Sequence, residues 1–269
     1  MKIKAKTEFI DMNLQDVQSF WEANPLLAAG IQHPIGSPEF FDIYDQLRER
    51  NESPAFSARL HEYDRFAGKK VLDVGCGNGY VLSRYALQGA KVYGVDLTIK
   101  AIQVCRERFN YMNLQGNFQE ANAERLPFDD EEFDCVCSMG VLHHVPNTAQ
   151  AVEEIHRVLK PGGRLIVMMY YRNSLLYRWR FQILKLLTGK SMQQLVNEVD
   201  GVGNPKGDVY TRDELRHLLQ RFDQFEMFTG LLQGWMILPW VGRYIPDQLL
   251  KPFETRWGWF LYTKAIKPA

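Results

Sequence analysis

The stretch Val71-Leu72-Asp73-Val74-Gly75-Cys76-Gly77-Asn78-Gly79 constrains this chain more than any other. Four residues suited to a buried strand run into glycines at alternate positions, and Tyr80 to Leu87 then read as a helix. Glycine lets a strand-to-helix turn bring its backbone N–H groups up to a ligand with no Cβ in the way. About 20 residues further on, Asp96 closes a second apolar run, Val92-Tyr93-Gly94-Val95. A carboxylate so placed on the next strand can accept hydrogen bonds from a ribose held over the glycine turn. Together these features predict a nucleoside-binding crevice.

The glycine pattern separates this crevice from a dinucleotide site. A dinucleotide site uses G-x-G-x-x-G, whose last glycine lets the helix pack close to the strand. Here the third glycine comes one residue early, and Tyr80 stands where that fingerprint needs a small residue. A dehydrogenase therefore ranks low.

The chain from Val71 resembles motif I of class I S-adenosylmethionine (AdoMet)-dependent methyltransferases, with Asp96 matching their ribose-binding acid. Asn122-Ala123-Glu124-Arg125-Leu126-Pro127-Phe128 is similar to the D-A-x-x-L-P-F element that holds adenine. Glu132 to Val136 followed by Val141-Leu142-His143-His144-Val145 resembles the fourth strand and its loop, and Leu159-Lys160-Pro161-Gly162-Gly163-Arg164-Leu165 the turn into the fifth. The likeness runs from about residue 66 to 170 and returns near Trp257 to Lys267.

The resemblance implies AdoMet as cofactor and a Rossmann-like, doubly wound α/β fold: a mostly parallel seven-stranded sheet whose last strand is antiparallel. It implies a cofactor site made by Asp73, Gly75, Cys76, Gly77 and Gly79, by Asp96 and Leu97, by Asn122, Ala123 and Glu124, and by Met139. Tyr63 stands where the family often carries a cofactor-covering aromatic, although it would serve equally well as core. The family usually has Asp where this chain has Asn122, and Asn still accepts through its carbonyl oxygen.

Composition bounds the rest. At 269 residues and 46% hydrophobic, the chain can bury one large core, or one core plus a cap. Its 32 acidic and 32 basic residues balance, so no global field recruits nucleic acid. Met1 to Lys6 is basic, yet no apolar segment suited to secretion follows it, and no run of about 18 apolar residues suggests a membrane span. Cys76, Cys105, Cys135 and Cys137 fit neither a disulfide framework nor a metal site and read as small buried hydrophobes. A cytoplasmic protein is expected, with its oligomeric state left open.

Residues 1–66 carry many aromatics, among them Phe9, Phe20, Trp21, Phe40, Phe41, Tyr44, Phe56 and Tyr63. Pro25, Pro34, Gly36, Pro38 and Pro54 divide them into short helices and loops that form a cap rather than an independent domain. The core, 67–269, alternates strands near 71–75, 91–95, 117–120, 133–138, 164–170, 224–229 and 257–265 with helices near 79–88, 98–110, 147–159 and 212–221. Thr211 and Glu214 form a capping box for the last of these.

A helical insertion at 171–208 follows the fifth strand. Asn173 or Ser174 can cap a helix through Leu187, ended by Thr188-Gly189, with a wide apolar arc and a narrow strip of Arg178, Gln182 and Lys185. It reads chiefly as a packed lid, and otherwise as a helix laid on a membrane or a lipid substrate. Leu231 to Leu250, with Trp235, Trp240 and Tyr244, raises the same question.

The sulfonium of AdoMet activates its methyl group for in-line displacement, so the protein mainly aligns acceptor, carbon and sulfur. A base is needed only where the acceptor must lose a proton, and His143 and His144 are the candidates, at the carboxyl edge of the sheet. Tyr170, Tyr171, Tyr177 and Trp179 suit acceptor-pocket walls or cap core. Methyl transfer to a small or medium, largely apolar acceptor (natural-product, quinone or lipid-like) is the leading reading. Aminopropyl transfer and a non-catalytic nucleoside-binding scaffold or partner subunit are the alternatives.

Overall fold

Strand β1 (Lys70–Val74) is buried along almost its whole length, because Val71, Leu72 and Val74 have apolar layers on both sides of the sheet. It pairs in parallel with β2 (Lys91–Asp96) and β4 (Phe133–Met139); β3 (Asn117–Glu120) adds to β2 and β5 (Leu159–Tyr171) to β4, also in parallel. β8 (Phe260–Ile266) enters antiparallel between β5 and β7 (Asp223–Gly230), giving the order β3-β2-β1-β4-β5-β8-β7. A two-residue strand, β6 (Val209–Tyr210), pairs with the end of β5 as an eighth member that sequence pattern did not indicate. The computed structural model of the chain describes residues 13–25, 30–238 and 241–269. Phe9, Trp240 and the basic run Met1 to Lys6 lie outside the described residues.

Helices cover both faces. On one, α4 (Tyr80–Leu87) and α5 (Ile99–Tyr111) pack with Val71, Val92 and Ile166. All four cysteines are free and buried in this same layer, as small hydrophobes would be. On the other face, α6 (Thr148–Val158) and α9 (Arg212–Leu218) pack with Leu72, Val136 and Leu165. Thr211 and Glu214 make the expected capping box at the start of α9. The strand near 257–265 begins three residues later than its pattern suggests, because α10 (Asp247–Trp257) continues to Trp257.

The N-terminal aromatics form three helices, α1 (Leu14–Ala23), α2 (Pro38–Asn51) and α3 (Pro54–His61), the last two begun by a serine cap followed by proline. Phe40 and Phe41 of α2 are buried against Val104 of α5. Arg108 of α5, 1% exposed, reinforces that contact with a two-pronged bond to Asp45 at 2.8 and 3.0 Å, and its Nε donates to the Asn78 carbonyl at 2.8 Å.

The insertion is half packed core and half surface. Ser174 is buried, a π-helical turn spans Leu176–Arg180, and α7 (Phe181–Thr188) ends at a left-handed Gly189. Leu176, Tyr177 and Phe181 join Leu195 and Val196 of α8 (Met192–Asn197) in a satellite core. Trp179, Ile183, Leu186 and Leu187 face outward, the last two 85% and 73% exposed. No helix among the described residues is long and apolar enough to cross a membrane.

Replacing Arg108 by Leu leaves Asp45 only the longer contact to Arg84 at 3.3 Å and loosens α2 from α5. Urea unfolding is expected to show a loss of about 2–4 kcal/mol, less than for a fully buried pair because Asp45 keeps some access to water. An unchanged midpoint would mean that the apolar contacts alone hold the cap.

Candidate active site

The glycine turn depends on backbone that only glycine adopts cheaply. Gly75, Gly77 and Gly79 lie at φ 81°, 51° and 75°, in the left-handed region. A Cβ on Gly75 would sit 2.2 Å from Val141 Cγ2, so the close approach of the β4 loop rules out any side chain there. The Gly75 and Cys76 N–H groups donate to the Val95 carbonyl at 2.8 and 2.9 Å, locking the turn to β2. Gly77 N–H donates to Asp96 Oδ2 at 3.1 Å, while Asp96 Oδ1 accepts from the Thr98 N–H at 3.0 Å and hydroxyl at 2.9 Å. Burial raises the Asp96 carboxyl above its usual range, and these donors oppose the rise. Oδ1 is thus fully used by Thr98, while Oδ2 retains one lone pair for a further donor.

Tyr80 takes up the space of the missing third glycine by turning toward the cap. Its hydroxyl donates to Glu49 at 2.9 Å, and the guanidinium groups of Arg48 and Arg84 lie over its ring at 4.8 and 4.7 Å.

One cavity of about 600 Å³ joins this turn to the cap and to the carboxyl edge of the sheet. Asp73, Gly75, Cys76, Gly77, Asp96, Leu97, Asn122, Ala123, Met139 and His144 all line it. Four predicted site residues do not line it, each for a local reason. Tyr63 is core: its hydroxyl bonds Ser57 at 2.7 Å and its ring stacks on His61. Gly79 is the left-handed cap of α4, where a Cβ would lie 2.6 Å from Cys105 Sγ. Glu124 instead accepts from the Asn147 N–H at 2.8 Å. His143 is fully buried with neither ring nitrogen partnered, and burial holds its pKa well below the usual histidine value.

Three buried polar atoms without partners belong to residues lining the same cavity: Asp73 Oδ1, Asn78 Nδ2 and Arg48 Nε. An orphaned buried donor or acceptor costs free energy, and a ligand that supplies its partner recovers it. Burial pushes the Asp73 carboxyl up to about 7, against the pull of Cys137 and the positive charge of Arg48. An ammonium and a carboxylate carried on one ligand could satisfy Asp73 and Arg48 respectively. Arg48 was not legible locally, because only the docking of α2 brings it to the turn.

α1 closes the cavity beside β2: Gln18 donates to the Leu97 carbonyl and to Glu120, each at 3.0 Å. Asn122 Oδ1 accepts from the Glu124 N–H at 2.9 Å, so its side chain also shapes its own loop. The remaining walls are largely aromatic: Trp21, Tyr44, Tyr170, Trp259 and Phe260, with Leu47 and Met168. His144 and Asp200 bring polar atoms into this chamber. Among the described residues no cluster of side chains has the make-up of a metal site.

Residues 72–167 match the protein family described as methyltransferase domain. The chain is 38% identical over 111 residues to a ubiquinone biosynthesis O-methyltransferase of Alkalilimnicola ehrlichii, a match covering 41% of this chain and 45% of that protein. The chain thus spans about half the length of the curated relatives it matches. Among solved structures, magnesium protoporphyrin IX methyltransferase from Synechocystis PCC 6803, with bound S-adenosylhomocysteine (SAH), superposes with TM-score 0.63 at 15% identity, covering 95% of this chain and 100% of that one. The cyclase SpnF superposes with TM-score 0.58 at 20% identity, covering 95% and 96%. These two likenesses establish the fold and leave the reaction to the site.

Replacing Asp96 by Ala is expected to weaken binding of S-adenosylhomocysteine by about 1.5–3 kcal/mol, the worth of one hydrogen bond to a charged group. Calorimetric titration checks this, and an unchanged dissociation constant would remove Asp96 from the site.

Proposed function

We propose that this chain, which carries a class I S-adenosylmethionine-dependent methyltransferase domain with AdoMet as its cofactor, transfers the sulfonium methyl to an oxygen of a small or medium, largely apolar aromatic molecule. The observation that carries the reading is one continuous cavity, which joins the glycine turn and Asp96 to an aromatic chamber with a polar wall at His144. The O-methyltransferase named among the relatives supports oxygen as the accepting atom.

When bound, AdoMet supplies an electrophilic methyl carbon and a leaving group that departs neutral. The chain's own residues do the rest. Asp96 accepts from a ribose hydroxyl through the remaining lone pair of Oδ2, and the Asn122–Ala123 segment borders the adenine. Asp73 and Arg48 hold the amino and carboxylate ends of the methionyl portion, which partners the orphaned Asp73 Oδ1 and Arg48 Nε. Trp21, Tyr44 and Phe260 exclude water and clamp a flat acceptor, and alignment of this kind is worth about 7–11 kcal/mol of barrier.

The outward Trp179, Ile183, Leu186 and Leu187 lie in a segment, 175–190, with four basic residues and no acid. That face supports an approach to a lipid-like acceptor at an anionic membrane surface.

The test is transfer from methyl-labelled AdoMet to alkyl-substituted phenols, anilines and thiophenols offered in parallel. Label is expected on the phenol oxygen. Label on nitrogen or sulfur alone would contradict the acceptor assignment. No label on any of them, with S-adenosylhomocysteine still bound, would favour the non-catalytic scaffold.

A further inference from the structure

His144, a base candidate on sequence grounds, meets Asp200, to which no motif pointed, at the wall of the acceptor chamber. His144 Nδ1 lies 2.5 Å from the Lys206 carbonyl oxygen, and a carbonyl only accepts, so Nδ1 carries a proton. That fixes the tautomer and turns the lone pair of Nε2 toward Asp200 Oδ2, 3.4 Å away. The other carboxylate oxygen, Oδ1, accepts from the Tyr170 hydroxyl at 2.5 Å. Both residues are almost wholly buried, and both line the cavity.

Oδ2 has one weak donor, Asn204 Nδ2 at 3.5 Å, and its other lone pair faces that of Nε2 across 3.4 Å, a repulsive gap wider than an ordinary hydrogen bond. The arrangement is thus a receptor for one proton arriving from the cavity. We infer that Asp200, backed by His144, is the proton acceptor for the acceptor hydroxyl, and that Tyr170 positions it. The inference rests on the methyltransferase reading and narrows its acceptor to a phenol protonated when it binds.

The step balances simply. The acceptor O–H bond breaks as its oxygen forms the new bond to carbon, the carbon–sulfur electron pair leaves with sulfur, and the proton lodges between Oδ2 and Nε2. Burial raises the Asp200 carboxyl and lowers the His144 imidazole, so the two titrate as one unit. The other titratable groups around the pair are His143, Tyr170, Tyr177 and the Lys206–Asp208 ion pair. The proton-free form is the active one, so turnover of a protonated phenol should rise with pH through the apparent pKa of the pair.

The test compares two acceptors, 4-methylcatechol, protonated in mildly alkaline buffer, and 4-nitrocatechol, largely ionised in it. Asp200→Asn is expected to slow transfer to the first by about 10²–10⁴-fold, to flatten its pH profile, and to slow the second by less than about tenfold. His144→Asn should give the same selective loss in weaker form. S-adenosylhomocysteine affinity, measured on each variant, reports the fold and the cofactor side separately. An equal loss on both acceptors with that affinity intact would mean a merely structural Asp200 and overturn the inference. Undiminished turnover of both acceptors by the variants would overturn it too. If the wild-type protein bound S-adenosylhomocysteine but methylated neither catechol, phenol acceptance itself would fall with it.

Discussion

The bond from Gly77 N–H to Asp96 Oδ2 joins the two halves of the proposed nucleoside site, and it depends on much of the surrounding architecture. It requires β1 and β2 in parallel register, so that the turn after Val74 and the carboxylate ending β2 emerge side by side. It requires left-handed backbone through the turn and no side chain at Gly75, where Val141 leaves no room. Burial of the carboxylate makes its hydrogen bonds stronger and its loss more costly.

The cap depends on the same frame from outside. Arg108 reaches from α5 to both the Asn78 carbonyl of the turn and Asp45 of α2, so one guanidinium ties cap and turn together. That contact sets α2 over the cavity, delivers Arg48 and Tyr44 to its wall, and gives Tyr80 a place to go. The third glycine of a dinucleotide fingerprint is absent here, and Tyr80 fills its place with a contact to the cap.

What could be read in advance follows from range. The strands of the core, the glycine turn, Asp96, the capping box at Thr211 and the burial of the cysteines rest on local spacing or alternation, and the fold carries each of them. Arg48 and Asp200 have no local signature. Each acquires its position from packing between segments far apart in the chain, α2 over the turn and the return of the insertion beneath His144. The adjacent histidines were visible as a pair, but only the fold separates them: His143 turns into the core and His144 toward the cavity. Tyr63 shows the same limit, since its hydroxyl finds Ser57 and its ring finds His61. The insertion helix presented a wide apolar arc, yet only half of it found a core to pack against.

The most direct measurement of the central claim is calorimetric titration of the purified protein with S-adenosylhomocysteine, with NADH as the competing ligand type. A glycine turn that ends one residue early, with Tyr80 closing the space beyond it, predicts micromolar binding of S-adenosylhomocysteine and none of NADH. Binding of NADH, or of neither ligand, would contradict the account of this crevice.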